Sequence, residues 1–198
     1  MPPRSADATR GAARDDGGPT PEEREALDYL FSVTYEELRR LAASVRRGDP
    51  GATITPTALV NEAWLKLAGS RWRASTSPLH FKRVAARAMR QVLVEAARRR
   101  HASKRGGGAG VAIVTFDDAL DAVLGEPAAT AEELLALDAA LEELARLSPR
   151  QATMVESRFF GGLGVTETAE LLGVSEATVL RDWRVAKAWL AHELRRAR

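Results

Sequence analysis

The 198-residue chain is 45% apolar and 28% charged with a formal net charge of +2, an ordinary balance for a globular protein of one medium or two small domains. It has no cysteine, which excludes disulfides and thiolate metal sites and fits a reducing cytoplasm. No run approaches the roughly 20 apolar residues that cross a bilayer, so no membrane role is expected.

Charge is unevenly spread. Residues 71–105 carry eleven cations against Glu95 alone, and residues 111–145 carry nine acids and no cation. Such blocks point to a polyanion-binding half followed by an acidic segment.

Residues 1–20, rich in Pro, Gly, Ala and mixed charge with no apolar core, read as a disordered tail and not a secretory signal. From there apolar spacing is helical, with no strict alternation. Residues 22–47 read as one helix or two, with Leu27, Leu30, Phe31, Leu38, Leu41 and Val45 inward. A turn over 46–55 leads to Thr55-Pro56, a helix start because proline suits the first helical position. The helix "PTALVNEAWLKLA" puts Leu59, Val60, Ala63, Trp64 and Leu67 on one side. The loop "GSRWRASTSPLH" follows, and Trp72 between Arg71 and Arg73 suits stacking on an unpaired base. The alternative for Trp72 is a lid over the helical core.

Residues 79–101 read as a long helix with Phe81, Val84, Ala85, Ala88, Val92 and Ala96 on one arc. Arg83, Arg87, Arg90, Arg98 and His101 line up opposite. At 1.5 Å per residue that stripe runs roughly 27 Å, long enough to follow several phosphates. Binding there should weaken with salt, because each neutralised phosphate releases counterions.

The glycine-rich "ASKRGGGAGV" opens a linker, and "VAIVTFDDAL" is a short strand by pattern or a docked extended segment. Helices resume at about 130–146, 149–160, 166–172 and 176–195. The expected organisation is therefore a helical domain over 21–103, a linker over 104–129 and a second helical domain over 130–198.

The last two helices carry the helix-turn-helix pattern. Thr166 is the expected N-cap of the first, and Gly173 sits where the turn needs a permissive backbone. Ser175 caps the second, Ala169 is small where the helices cross, and Leu172, Val174 and Val179 supply their shared core. At about 100° per residue, Val179, Trp183, Ala186 and Leu190 share one arc. Ala177, Arg181, Arg184 and Ala188 lie opposite, with Leu180 beside them, and Trp189 falls off both arcs. In this motif the second helix enters the major groove, its N-terminal residues nearest the base edges. Arginine suits bidentate contact with guanine or phosphate. The plain alternative is a solvated helix face.

Together these segments resemble the extracytoplasmic-function (ECF) group of bacterial RNA polymerase sigma factors, in the sigma-70 family, from about residue 25 onward. "TALVNEAWLKL" is similar to the region 2.2 motif, and "FKRVAARAMRQVLVEAARRR" resembles regions 2.3–2.4. The stretch from "LSPRQATMVESRFF" through "SEATVLRDWRVAKAWL" resembles region 4. Leu180 and Val185 depart from the pattern, standing where Lys or Arg is common.

The resemblance implies an all-α protein, a region 2 bundle and a region 4 helix-turn-helix on a flexible linker. It implies binding to the beta-prime clamp of core RNA polymerase through Leu59, Asn61, Glu62, Leu65 and Lys66, with the beta flap as a further contact. It implies recognition and melting of the −10 element by Arg71, Trp72, Arg73, Arg83, Arg87, Arg90 and Arg98. It implies duplex recognition of the −35 element by Ser175, Ala177, Thr178, Leu180, Arg181, Arg184 and Lys187. The acidic linker would thread near the polymerase active-site channel. No catalysis, cofactor or metal is implied, and the location would be cytoplasmic. An anti-sigma factor is a common partner in the group, but no residue here shows one.

Three rivals stand beside this. An enzyme would have to use His80, His101 or His192 without a cysteine or a carboxylate cluster, and "RGGGAG" lacks the Lys-Ser/Thr of a phosphate loop. A stand-alone helix-turn-helix regulator leaves the 71–105 basic block and the 55–67 helix without a task. The third is an adaptor that binds polymerase without DNA, and transcription by core polymerase with the purified protein from a −35/−10 promoter library separates all three from the sigma reading.

Overall fold

The computed structural model describes residues 20–45, 54–69, 77–103 and 131–197, and among these the chain forms seven helices and no strand. The helices are α1 (Pro21–Val45), α2 (Pro56–Ala68), α3 (Pro78–Ser103), α4 (Ala131–Leu147), α5 (Pro149–Phe159), α6 (Val165–Leu172) and α7 (Glu176–Arg196). The all-α class is as expected. Several expectations lie outside the described residues: the tail, the turn before Ile54, and the loop bearing Arg71, Trp72 and Arg73. So do the 104–129 linker with its apolar run and the side chain of Val45.

Local chemistry starts the helices. At α1, Thr20 and Glu23 form a reciprocal capping box: the Thr20 N–H donates to Glu23 Oε2 at 2.8 Å, and the Glu23 N–H donates to Thr20 Oγ1 at 3.2 Å. Thr55 Oγ1 accepts from the Ala58 N–H at 3.0 Å, with Pro56 at the first helical position. Ser175 Oγ accepts from the Thr178 N–H at 3.2 Å, and Gly173 ends α6 in the left-handed region at φ 63°. One cap differs from expectation. Gly164, and not Thr166, precedes α6, because the Glu167 carboxylate reaches back to accept the Gly164 N–H at 2.9 Å. Thr166 lies inside the helix and donates to Glu176 Oε1 at 2.7 Å, tying α6 to α7.

Helix α3 is the axis of the molecule. Phe81, Ala85, Ala88, Val92 and Ala96 are buried, as the first arc requires, against a core that α1 and α2 share. A second set, Ala86, Met89, Leu93 and Ala97, is buried about a third of a turn further round. That side receives α4 and α5, so the N-terminal and C-terminal helices share one continuous core.

The turn after α5 packs close against α1 and α3. A Cβ on Gly161 would lie 3.0 Å from Ala86 Cβ and 2.4 Å from the Ser157 carbonyl oxygen. Gly162 has φ 64°, and a Cβ there would lie 2.7 Å from Leu41 Cδ1. Glycine at both positions lets this turn seat on α1 and α3 together.

Candidate nucleic-acid interface

Helix α7 divides by its own periodicity. Val179, Trp183, Ala186 and Leu190 are buried against α4, α5 and α6, which fixes the opposite face outward. On that face Ala177, Arg181, Arg184 and Ala188 are exposed, and Leu180 is 48% exposed beside them. Small Ala177 and Ala188 leave room for close approach between the guanidinium groups. Lys187 is half-buried, its Nζ 5.9 Å from the Trp183 ring centroid. Ser175 is exposed, but its hydroxyl is engaged in the cap, and Thr178 is half-buried. Trp189 is half-buried against the core.

Two interactions seat the helix. Arg158 stacks its guanidinium 4.3 Å from the Trp183 ring centroid. Arg150 Nη2 donates to Asp182 Oδ2 at 2.6 Å, pinning α7 to the start of α5.

The predicted stripe on α3 is only partly open. Arg87 is exposed, and Arg98 is exposed while donating to Asp138 Oδ2 at 3.3 Å. Arg83 is half-buried with Nη2 3.5 Å from His80 Nε2. Burial first, and the neighbouring Arg83 charge second, hold the His80 pKa below the usual histidine value.

Arg90 departs most from expectation: its side chain is only 12% exposed. Its Nε and Nη2 donate to Asp138 Oδ1 at 2.9 and 2.7 Å, and its Nη1 donates to Glu156 Oε1 at 3.0 Å. The reason is the second apolar arc of α3: Arg90 stands at its edge, where α4 and α5 close over it.

A second internal tie lies nearby. Lys82 donates to Glu37 at 2.7 Å and to Glu167 at 2.9 Å, linking α3 to α1 and α6. Burial works against the Lys82 ammonium, but the two carboxylates outweigh it and hold its pKa above the usual value. Burial also disfavours the Glu167 carboxylate, yet the Gly164 N–H and Lys82 hold its pKa below the usual value.

On α2, Asn61 and Glu62 are exposed and Leu65 is among the most exposed large apolar residues. Lys66 is half-buried and paired with Glu95 at 2.7 Å. Leu59 needs correction as a surface contact. It is 3% exposed and packs in the core, because it falls on the same side of α2 as Val60, Ala63 and Leu67. No helix among the described residues is long and apolar enough to cross a membrane.

No curated protein and no solved structure matches this chain. A family model described as ECF sigma factor matches residues 21–196, from the first residue of α1 to the last of α7. That span takes in both the outward arginine face of α7 and the α2–α3 pair. The chain therefore belongs to the ECF sigma factor family, non-enzymatic transcription initiation factors that bind core RNA polymerase and promoter DNA.

Proposed function

We propose that this chain reads the −35 element as duplex through α7 and engages and melts the −10 element through α3 and the segment before it, while α2 holds the beta-prime clamp. Residues 21–103 would act as one unit and 130–198 as the other, with the beta flap contacting the second. The observation that carries the reading is the division of α7. Trp183 and Leu190 are buried, and Arg181 and Arg184 are exposed on the opposite face, as major-groove entry demands. Ser175, Ala177, Thr178, Leu180 and Lys187 would complete the −35 contact. Arg83, Arg87, Arg90 and Arg98, with Arg71, Trp72 and Arg73 ahead of them, would supply the −10 contact. Asn61, Glu62, Leu65 and Lys66 would meet the polymerase.

The test is transcription from a −35/−10 promoter library by core polymerase with the purified protein. Arg181→Ala and Arg184→Ala should each weaken discrimination at their base pairs by about 1–3 kcal/mol while polymerase binding persists. Normal initiation by both variants from the preferred promoter refutes the assignment. Duplex binding without polymerase, and no initiation with it, supports a stand-alone regulator instead.

A further inference from the structure

The outward face of α7 is not uniformly polar. Leu180 stands on it at 48% exposure, beside Arg181 and one turn before Arg184. It belongs neither to the core nor to the half-buried shell packed on it. Leucine on a solvated helix face gives the fold nothing that lysine or arginine would not, since their helix propensities are nearly equal. The fold therefore does not account for it.

The neighbours of Leu180 are arranged to leave its methyl groups open. Ala177, three positions before it, is too small to cover it. Glu176, four positions before, accepts from Thr166 Oγ1 at 2.7 Å and is held toward α6. Lys187, two turns on, lies with its Nζ 5.9 Å from the Trp183 ring centroid. Arg184 is drawn back over the same turn, its Nε donating to the Leu180 carbonyl oxygen at 3.4 Å. The row thus presents an apolar end and a guanidinium side by side, about 5–6 Å apart at their roots. With base pairs stacked about 3.4 Å apart, a row of this length spans two neighbouring base pairs.

The chemistry that fits this pair is specific. A guanidinium takes the O6 and N7 acceptors of guanine, whereas the leucine side chain can neither donate nor accept. Set against guanine, cytosine or adenine, Leu180 would cover a polar group that loses its water without a replacement bond. Thymine alone of the four bases presents an apolar group, its C5 methyl, at the major-groove edge.

We propose that Leu180 reads a thymine methyl, so that the −35 duplex this chain selects carries thymine within about two base pairs of the guanine taken by Arg184. This rests on the reading of α7 as the −35 helix. Leu180 is the fifth residue of α7, which begins at Glu176, and so lies in the N-terminal turns nearest the base edges. Val185, the other exposed large apolar residue of α7, lies about 7.5 Å further along at 1.5 Å per residue and serves as a control.

The test uses the holoenzyme, assembled from core polymerase and the purified full chain, on the promoter it prefers in the −35/−10 library. Each thymine of the −35 element, on either strand, is replaced in turn by deoxyuridine, which keeps the hydrogen bonds of the pair and lacks only the methyl. One replacement should weaken promoter binding about fourfold, the contribution of one buried methyl, and the others should change it little. With Leu180→Ala the loss at that position should vanish, while Leu180→Met, which keeps an apolar contact, should retain it. Val185→Ala should leave the wild-type pattern in place.

A preferred −35 element without thymine overturns the proposal. So does insensitivity to deoxyuridine at every −35 thymine, a loss that persists in Leu180→Ala, or one that Val185→Ala removes instead. Arg184→Ala separates this inference from the reading beneath it. If discrimination at a guanine depends on Arg184 while no thymine is methyl-sensitive, the −35 reading of α7 stands and the role of Leu180 falls. If neither Arg181→Ala nor Arg184→Ala alters promoter choice, both fall together.

Discussion

Removing Arg150 should reveal how firmly the reading helix is seated. Its Nη2 lies 2.6 Å from Asp182 Oδ2, and the carboxylate is buried at 8% residue exposure between Arg181 and Trp183 in the middle of α7. The other oxygen lies 3.6 Å from Arg181 Nε. Breaking a fully buried pair costs about 3–5 kcal/mol because the remaining charge is stranded. An exposed pair is worth about 0–1 kcal/mol. Arg150 is half in solvent, so water can partly replace it, and Arg150→Ala should cost about 1–2 kcal/mol between those limits. For a chain of this size that is a fall in Tm of about 3–6 °C. Asp182→Ala should cost about 1 kcal/mol, since the freed guanidinium returns to water. The double variant should then lose less than the sum, with a coupling of about 1 kcal/mol. Urea denaturation of the four proteins measures this directly. Costs that simply add, with coupling below about 0.3 kcal/mol, would refute the claim that this pair holds α7 to α5.

Lys82→Met should remove the tie among α1, α3 and α6, and its cost should depend on pH. The raised Lys82 pKa means its contribution is full below the ordinary value of 10.5 and is lost as pH rises through the higher folded value. The lowered Glu167 pKa means its contribution is full above the ordinary value of 4.5 and is lost as pH falls through the lower folded value. The stability gap between wild type and variant, followed by thermal melting, should therefore be widest across that interval and narrow at either end; a gap that grows in acid contradicts the assignment. Leu59→Ala should destabilise by about 2–4 kcal/mol through a core cavity. Leu65→Ala should melt almost normally and lose affinity in a core-polymerase pull-down; the reverse pattern would mean that α2 presents the other face. Leu180→Arg should shift the preferred base at one −35 position toward guanine by about 1–3 kcal/mol, read from selected promoter pools, and an unaltered preference would place Leu180 off the DNA.

The helices and their caps were legible because each is decided by neighbours in sequence. Pro56 after Thr55, Ser175 before a helical run and Gly173 in a tight turn act over three or four residues. Thr166 misled because a threonine two residues into α6 looks like a cap until the Glu167 side chain is seen reaching the Gly164 N–H. The division of α7 was equally legible, since Val179, Trp183, Ala186 and Leu190 leave only one face for the arginines. Arg90 was not. Its immediate neighbours give it a polar stripe, and whether that stripe meets water or another helix depends on residues nearly fifty positions away. The warning was present in the alternate spacing of Ala86, Met89, Leu93 and Ala97, a second apolar arc that a helix exposed on its far side would not need.

The two charge blocks carry the same lesson at larger scale. A basic run followed by an acidic run of nearly equal size reads as one surface for nucleic acid and a separate segment behind it. Yet a chain that holds both charges also holds the nearest available counterion for each. Of the described members, Arg90 and Arg98 meet Asp138, Arg90 also meets Glu142, and His101 lies 3.9 Å from Glu132. Among the described residues, the exposed cations on which no acid of another helix is packed include Arg87 and Arg99 on α3 and Arg181, Arg184 and Arg195 on α7. For a DNA-binding chain with complementary blocks, the cations available in the free protein are therefore those that survive this internal pairing.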